Sequence, residues 1–153
     1  MIQQIATLLP FAYIAGAAIP LMIVDFKQHR LPNKIVYPLM LTTIIAQLTL
    51  AITQGSWATL GVSLLSGLIV MITGVLLNFQ EWMGMGDAKL MAALTMVLVP
   101  LMGFYSMLLL PTSLVAGVVI GLVIQMLKRH IITHIPLGPT ILGVFTMFTL
   151  LSI

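Results

Sequence analysis

The stretch Gly84-Met85-Gly86-Asp87-Ala88-Lys89 interrupts a chain that otherwise consists of long apolar runs. The two glycines ahead of Asp87 allow backbone conformations that other residues resist, and they let a second segment approach closely. The pattern Gly-x-Gly-Asp is short enough to occur by chance. On its own it fits two interpretations: a glycine-rich turn between membrane helices with one solvated charge, or an acid held at a functional site.

The composition decides the class of protein. Of 153 residues, 61% are hydrophobic and 6% are charged, and the mean hydropathy is +1.21, whereas a soluble domain has roughly 25% charged residues. This predicts an all-α integral membrane protein. The pI of 9.6 comes from six Lys and Arg against three Asp and Glu, with no basic tract, so we expect no nucleic-acid binding. Without cysteines, and with three scattered histidines, we expect neither disulfides nor a metal site.

Six apolar stretches are long enough to predict membrane crossings, for which a helix needs about 20 residues. They are residues 5–24, 35–52, 57–79, 90 to about 100, a fifth run ending at 127, and 135–153. The run from 90 to 127 is too long for one crossing, and we expect it to turn between Pro100 and Tyr105, where Pro100 and Gly103 weaken the helix. No Lys or Arg precedes the first run, so we interpret it as a span and not as a signal peptide. Residues 1–153 are thus predicted to form one domain, a polytopic bundle of six transmembrane helices.

The charged residues test this count independently. All the bases fall in the odd-numbered loops of a six-span chain: Lys27, Arg30, Lys34, Lys89, Lys128 and Arg129. By the positive-inside rule these loops are cytoplasmic, which puts both chain ends outside. Two complete crossings separate Asp25 from Asp87, so the two acids are expected at the same membrane face.

Two carboxylates that meet at one membrane face suggest aspartic-protease chemistry. One acid is ionised and activates a water molecule, while the other keeps a proton and polarises the scissile carbonyl. The residues alone leave other interpretations open. Asp25 fits equally a solvated charge at a helix end, or a salt-bridge partner of Arg30. Both acids also fit a small transporter or channel subunit that handles protons or cations.

Three separated segments resemble the type IV prepilin peptidases, which are membrane aspartic proteases of the Gly-x-Gly-Asp class. Residues 24–33, Val-Asp-Phe-Lys-Gln-His-Arg-Leu-Pro-Asn, are similar to the family's aspartate followed by an apolar-Pro-Asn/Asp triplet. Residues 84–90, Gly-Met-Gly-Asp-Ala-Lys-Leu, match its Gly-x-Gly-Asp-x-Lys-Leu. Residues 135–139, Ile-Pro-Leu-Gly-Pro, resemble its Ile-Pro-Phe-Gly-Pro, with Leu137 in place of the usual aromatic. The resemblance covers essentially the whole chain.

The resemblance implies that Asp25 and Asp87 are a catalytic pair that works without a cofactor. Expected substrates are prepilin-like proteins, whose short basic leader ends in glycine before a hydrophobic helix, and the expected location is the cytoplasmic face of the bacterial inner membrane. The residues implied to bind substrate or support the site are Gly84, Gly86, Lys89, Pro32, Asn33, Pro136 and Gly138.

The resemblance also sets the limits of the expected activity. Larger members carry an extra methyltransferase region with a four-cysteine metal site, for which this chain has neither cysteines nor room, so we expect peptidase activity without N-methylation. The choice among tight-adherence pilins, pseudopilins and flagellin-like substrates stays open. For Lys89 we favour a positive-inside anchor over a direct role at the site. Gly61 and Gly67, like Gly117 and Gly121, are expected at close helix crossings.

Overall fold

The computed structural model describes residues 2–28, 33–80, 83–128 and 137–151, and these are almost entirely helical. The elements are α1 (Ile2–Gln28), α2 (Asn33–Gln54), α3 (Trp57–Phe79), α4 (Met85–Met102), a 3-10 helix (Gly103–Leu108), α5 (Leu109–Lys128) and α6 (Leu137–Leu151). The predicted all-α class is therefore confirmed for the part of the chain that the structure describes.

The helix α1 extends beyond the predicted first span. We expected the span to end at Val24, but the helix continues through Asp25 to Gln28. Polar side chains do not break a helix, and a short helical extension carries them out of the hydrocarbon region while every backbone group stays paired. The Tyr13 hydroxyl donates to the Ile35 carbonyl at 3.0 Å and so ties α1 to the start of α2.

The helix α4 is the centre of the bundle. Its residues from Leu90 to Val99 are all buried. This agrees with the sequence of the segment, which has no polar face of the kind that a surface helix turns to solvent. Each of α2, α3 and α6 packs against it. A helix that is apolar all round and enclosed by its neighbours is held in place from several directions, so it is a rigid support for residues at its ends.

Small residues bring α3 close to α4. The buried positions of α3 recur at helical spacing and are Ser63, Ser66, Gly67, Val70 and Gly74. A Cβ atom on Gly67 would lie 2.5 Å from the Met96 side chain, so this close crossing was predicted correctly. Nothing lies within 4 Å of a Cβ on Gly61, so the same expectation was wrong there, because Gly61 does not belong to the buried positions of α3.

The long apolar run after Asp87 breaks where the sequence predicted. Pro100 lies inside the last turn of α4, and Gly103 ends the helix with a φ of +57°, a conformation that glycine adopts without strain. The 3-10 helix follows and leads into α5.

Among the described residues, three helical stretches are long and apolar enough to cross a membrane. They are Lys34–Gln54, Trp57–Phe79 and the 36-residue stretch Met85–Ile120, which contains the break at Gly103. Two shorter apolar helical stretches are Leu8–Leu21 and Pro139–Leu151. The chain is thus an apolar helical protein suited to a membrane, and the count of six crossings stays a prediction.

Candidate functional site

The Gly-x-Gly-Asp segment forms the start of α4, where the sequence had suggested a flexible break and a helix beginning near Leu90. Gly84 is the N-cap in an extended conformation, with φ −70° and ψ 145°, and its carbonyl accepts a hydrogen bond from the Ala88 amide at 3.1 Å. Gly86 and Asp87 therefore lie in the first helical turn. Acidic residues are favoured there because the amide groups at a helix N-terminus carry partial positive charge. That preference explains why the helix starts before the apolar run.

The Asp87 side chain folds back toward the N-cap. Its Oδ2 atom lies 3.0 Å from the position that a Cβ atom on Gly84 would occupy, and the residue is half-buried. Glycine at position 84 thus leaves room for the carboxylate directly beside the helix N-terminus. The residue is partly exposed, but its Oδ1 atom is buried, so the acid is neither fully solvated in a loop nor wholly enclosed in the core.

The C-terminal end of α3 fixes the segment that carries Asp87. The Asn78 side chain donates from Nδ2 to the Met83 carbonyl at 2.8 Å, immediately before Gly84. Gly74 packs so closely on Ala88 that an added Cβ would lie 2.5 Å from the Ala88 Cβ atom. Both contacts bind the chain on either side of Asp87 to α3, so they position the acid.

Lys89 connects the start of α4 to α2. Its Nζ atom donates to the Tyr37 hydroxyl at 3.1 Å and lies 5.1 Å from the centroid of the Tyr37 ring. A cation over an aromatic face is attracted by the ring quadrupole, in addition to the hydrogen bond. The contact shows that the first turns of α2 and α4 lie at the same end of the bundle.

Asp25 reaches this end of the bundle through the backbone of α1. The residue lies three positions before the end of α1 at Gln28, and α2 begins at Asn33. Because consecutive Cα atoms are about 3.8 Å apart, the chain from Gln28 to Asn33 spans at most about 19 Å. The end of α1 therefore lies at the same end of the bundle as the starts of α2 and α4. The Asp25 side chain is outside the described part of the chain, so the pairing of the two carboxylates stays a prediction.

The other predicted site residues fall at helix starts or outside the described residues. Asn33 is the first residue of α2, and Gly138 is the second residue of α6. Pro32 and Pro136 are outside the residues that the structure describes. The roles proposed for these four residues are therefore untested.

Sequence reasoning missed three residues that build the site. Tyr37 lies in the first turns of a predicted span. An aromatic residue at that position is typical of the membrane interface, so the sequence does not indicate a role at the site. Asn78 is a polar residue at the end of an apolar run, and that position is its signal in the sequence. Gly74 lies seven residues after Gly67, and this spacing, two turns on one helix face, would have identified it.

Comparison with known proteins gives one match. The family model described as the type IV leader peptidase family matches residues 12–125, which include Asp25 and the whole Gly84–Lys89 segment. The matched region covers about three quarters of the chain. No curated protein and no solved structure matches the sequence.

Proposed function

The chain belongs to the type IV leader peptidase family, and from this premise we propose that it is an aspartic protease that removes the leader peptide from prepilin-like proteins. Membership in the family implies a protease. The aspartic mechanism, the prepilin-like substrate and the membrane face are our proposal.

In the proposed mechanism Asp25 and Asp87 share the work of peptide hydrolysis. Two carboxylates close together do not both ionise readily, because the second negative charge is repelled by the first. One acid therefore remains protonated and polarises the scissile carbonyl, and the other removes a proton from the attacking water. The N-terminus of α4 stabilises negative charge next to it, so we assign the ionised role to Asp87.

The observation that carries the proposal is the extent of the family match. Residues 12–125 contain both acids, and the chain has only one other acidic residue, Glu81. The contact between Lys89 and Tyr37 supports the pairing, since it brings the Asp87 segment to the end of the bundle at which α1 ends.

The substrate class is implied by the family, and the membrane setting suits it. A prepilin-like substrate has a basic leader ending in glycine, followed by a hydrophobic helix, and such a helix stays in the bilayer beside the apolar outer faces of the bundle. We place the cut at the cytoplasmic face of the inner membrane of a bacterium, with six crossings and both chain ends outside. The six bases then lie on the cytoplasmic side, as the positive-inside rule requires.

The test is cleavage of a co-expressed prepilin-like substrate in membranes, comparing wild type with Asp25→Asn and Asp87→Asn at matched expression. Each change nearly preserves shape and removes the ionisable group, so we expect cleavage to fall by about 10²-fold or more. Glu81→Gln is the matched control, because it removes the third acid of the chain in the same way, and it should cleave like wild type.

The results of this cleavage experiment distinguish a wrong catalytic pair from a wrong substrate class. If wild type cuts and either aspartate variant keeps full activity, the catalytic pair is assigned wrongly. If folded wild type cuts none of its host's prepilin-like proteins, the substrate class is wrong. The family match favours a protease over the alternative in which Asp25 and Asp87 conduct protons or cations.

A further inference from the structure

Pro100 removes the usual backbone donor of a buried carbonyl group near the C-terminal end of α4. A helical residue donates its amide hydrogen to the carbonyl four positions earlier, but proline has no such hydrogen, so the Met96 carbonyl loses its usual donor. Two side chains from neighbouring helices replace it. Gln47 on α2 donates from Nε2 at 2.5 Å, and Ser63 on α3 donates from Oγ at 3.1 Å. The Met96 carbonyl is therefore satisfied by polar side chains from both adjacent helices.

This arrangement leaves the other half of the Gln47 amide unused. Because Nε2 faces the Met96 carbonyl, Oε1 points away from it, and Oε1 has no hydrogen-bond partner within the described part of the chain. Gln47 is 5% exposed. Leaving a buried acceptor unsatisfied is unfavourable, so a donor that reaches Oε1 would be bound favourably.

Gln47 lines two hollows. One hollow extends from Gln47 along Thr43 toward Phe11 on α1. The second leads from Gln47 to the turn between α2 and α3, where Gln54, Ser56 and Thr59 line it. Leu50 and Pro100 border both hollows. The second hollow thus has polar side chains toward the turn and the buried Gln47 side chain at its inner end.

We propose that this second hollow is a binding site for a neutral hydroxyl group, either water or the hydroxyl of a lipid headgroup, which donates to Gln47 Oε1. The residues that line it carry no charge, so it suits a neutral donor and not an ion. It lies at the opposite end of α4 from Asp87, since 13 residues of helix to Pro100 span about 20 Å. The proposal is independent of the proteolytic activity.

The absence of cysteine from the chain makes thiol accessibility a clean test. The test uses the purified protein with a single Leu50→Cys change, in vesicles of phosphatidylcholine, whose headgroup has no hydroxyl. A small charged methanethiosulfonate is added, and the rate of its reaction with the thiol is measured. Leu48→Cys is the matched control, because Leu48 is 42% exposed on the outer surface and lies only about 3 Å away along the same helix axis. Only thiolates in contact with water react, so we expect Leu50→Cys to react about tenfold faster or more. Equal rates would overturn the proposal.

Adding Gln47→Met to Leu50→Cys tests the assignment to Gln47. The variant keeps a side chain of similar length and leaves Ser63 to pair with the Met96 carbonyl, and we expect the thiol reaction to slow toward the Leu48→Cys rate. An unchanged rate in a folded variant would show that Gln47 does not hold the hydroxyl.

Radiolytic hydroxyl labelling of the unmodified protein is a second measurement that needs no substitution. We expect more labelling at Leu50 and Pro100 than at Leu48. No excess labelling would also overturn the proposal.

The source of the hydroxyl is decided by changing the lipid. In vesicles of phosphatidylglycerol the headgroup glycerol competes for the hollow, so a slower Leu50→Cys reaction, at an unchanged Leu48→Cys rate, identifies a lipid hydroxyl as the occupant. The same rates in both lipids identify water.

Discussion

At the scale of single residues, the position of the Asp87 carboxylate depends on the absence of a side chain at Gly84. The N-cap conformation of Gly84 has a negative φ that any residue adopts, so backbone strain does not require glycine. The position of the Asp87 Oδ2 atom favours glycine, because this atom lies 3.0 Å from where a Cβ atom would be and would have to move by a few tenths of an ångström. The first glycine of the Gly-x-Gly-Asp motif therefore leaves space for the Asp87 carboxylate beside the helix N-terminus.

We predict that Gly84→Ala folds like wild type but cleaves substrate more slowly. The added methyl group moves the carboxylate by a few tenths of an ångström, and small displacements of a reacting group reduce rates, so we expect a loss of about 2- to 10-fold. Cleavage rate and thermal unfolding, measured together, check this. Gly16→Ala is the control, because nothing lies within 4 Å of a Cβ atom at that helical position. A Gly84→Ala variant with the wild-type rate would show that the carboxylate position is not critical.

At the scale of helices, α3 sets the position of the segment that carries Asp87. The contact of Gly74 with Ala88 lies one residue after Asp87, and the Asn78 side chain holds the residue before Gly84. The positions on both sides of the acid are therefore determined by a helix that carries no acidic residue itself.

We predict that Gly74→Ala destabilises the protein by about 1–3 kcal/mol, the usual cost of overpacking. Its Cβ would lie 2.5 Å from the Ala88 Cβ and 3.1 Å from the Ala88 Cα, so the backbone of α4 has to move. Gly61→Ala, in the same helix and with nothing within 4 Å, should be neutral or up to about 1 kcal/mol more stable, because alanine is the better helix former. Thermal unfolding in detergent compares the two. Equal stability of the two variants would mean that α3 and α4 do not touch at Gly74.

The sequence predicted these helices better than their ends and contacts. Apolar length located the third span, which matches α3, and apolar length together with Pro100 and Gly103 located the break at the end of α4. It missed the extension of α1 to Gln28 and the early start of α4, because polar residues at a membrane interface continue a helix without changing the apolar pattern. The contact of Lys89 with Tyr37 was not predictable, since it depends on how two helices distant in sequence pack.

At the scale of the whole molecule, the bundle has two chemically different ends. The end with the starts of α2 and α4 carries Lys34, Lys89 and Asp87. The other end, at the turn between α2 and α3, has uncharged polar residues such as Thr53 and Ser56. The stretch Lys34–Gln54 has 21 residues, about 31 Å of helix, which matches the thickness of the hydrocarbon core. The two ends of α2 therefore suit the two surfaces of a membrane.

We predict that Lys34→Cys faces the cytoplasm and Thr53→Cys faces outside, because positively charged segments remain on the cytoplasmic side during insertion. A membrane-impermeant maleimide added to intact spheroplasts should label Thr53→Cys, and should label Lys34→Cys only after lysis. Both side chains are exposed and the chain has no native cysteine, so each serves as the control for the other. Labelling of Lys34→Cys in intact spheroplasts would place Asp87 outside. A leader peptide still anchored in the cytoplasm would then be out of reach of this acid, and the proposed site of cleavage would be wrong even though the family assignment stands.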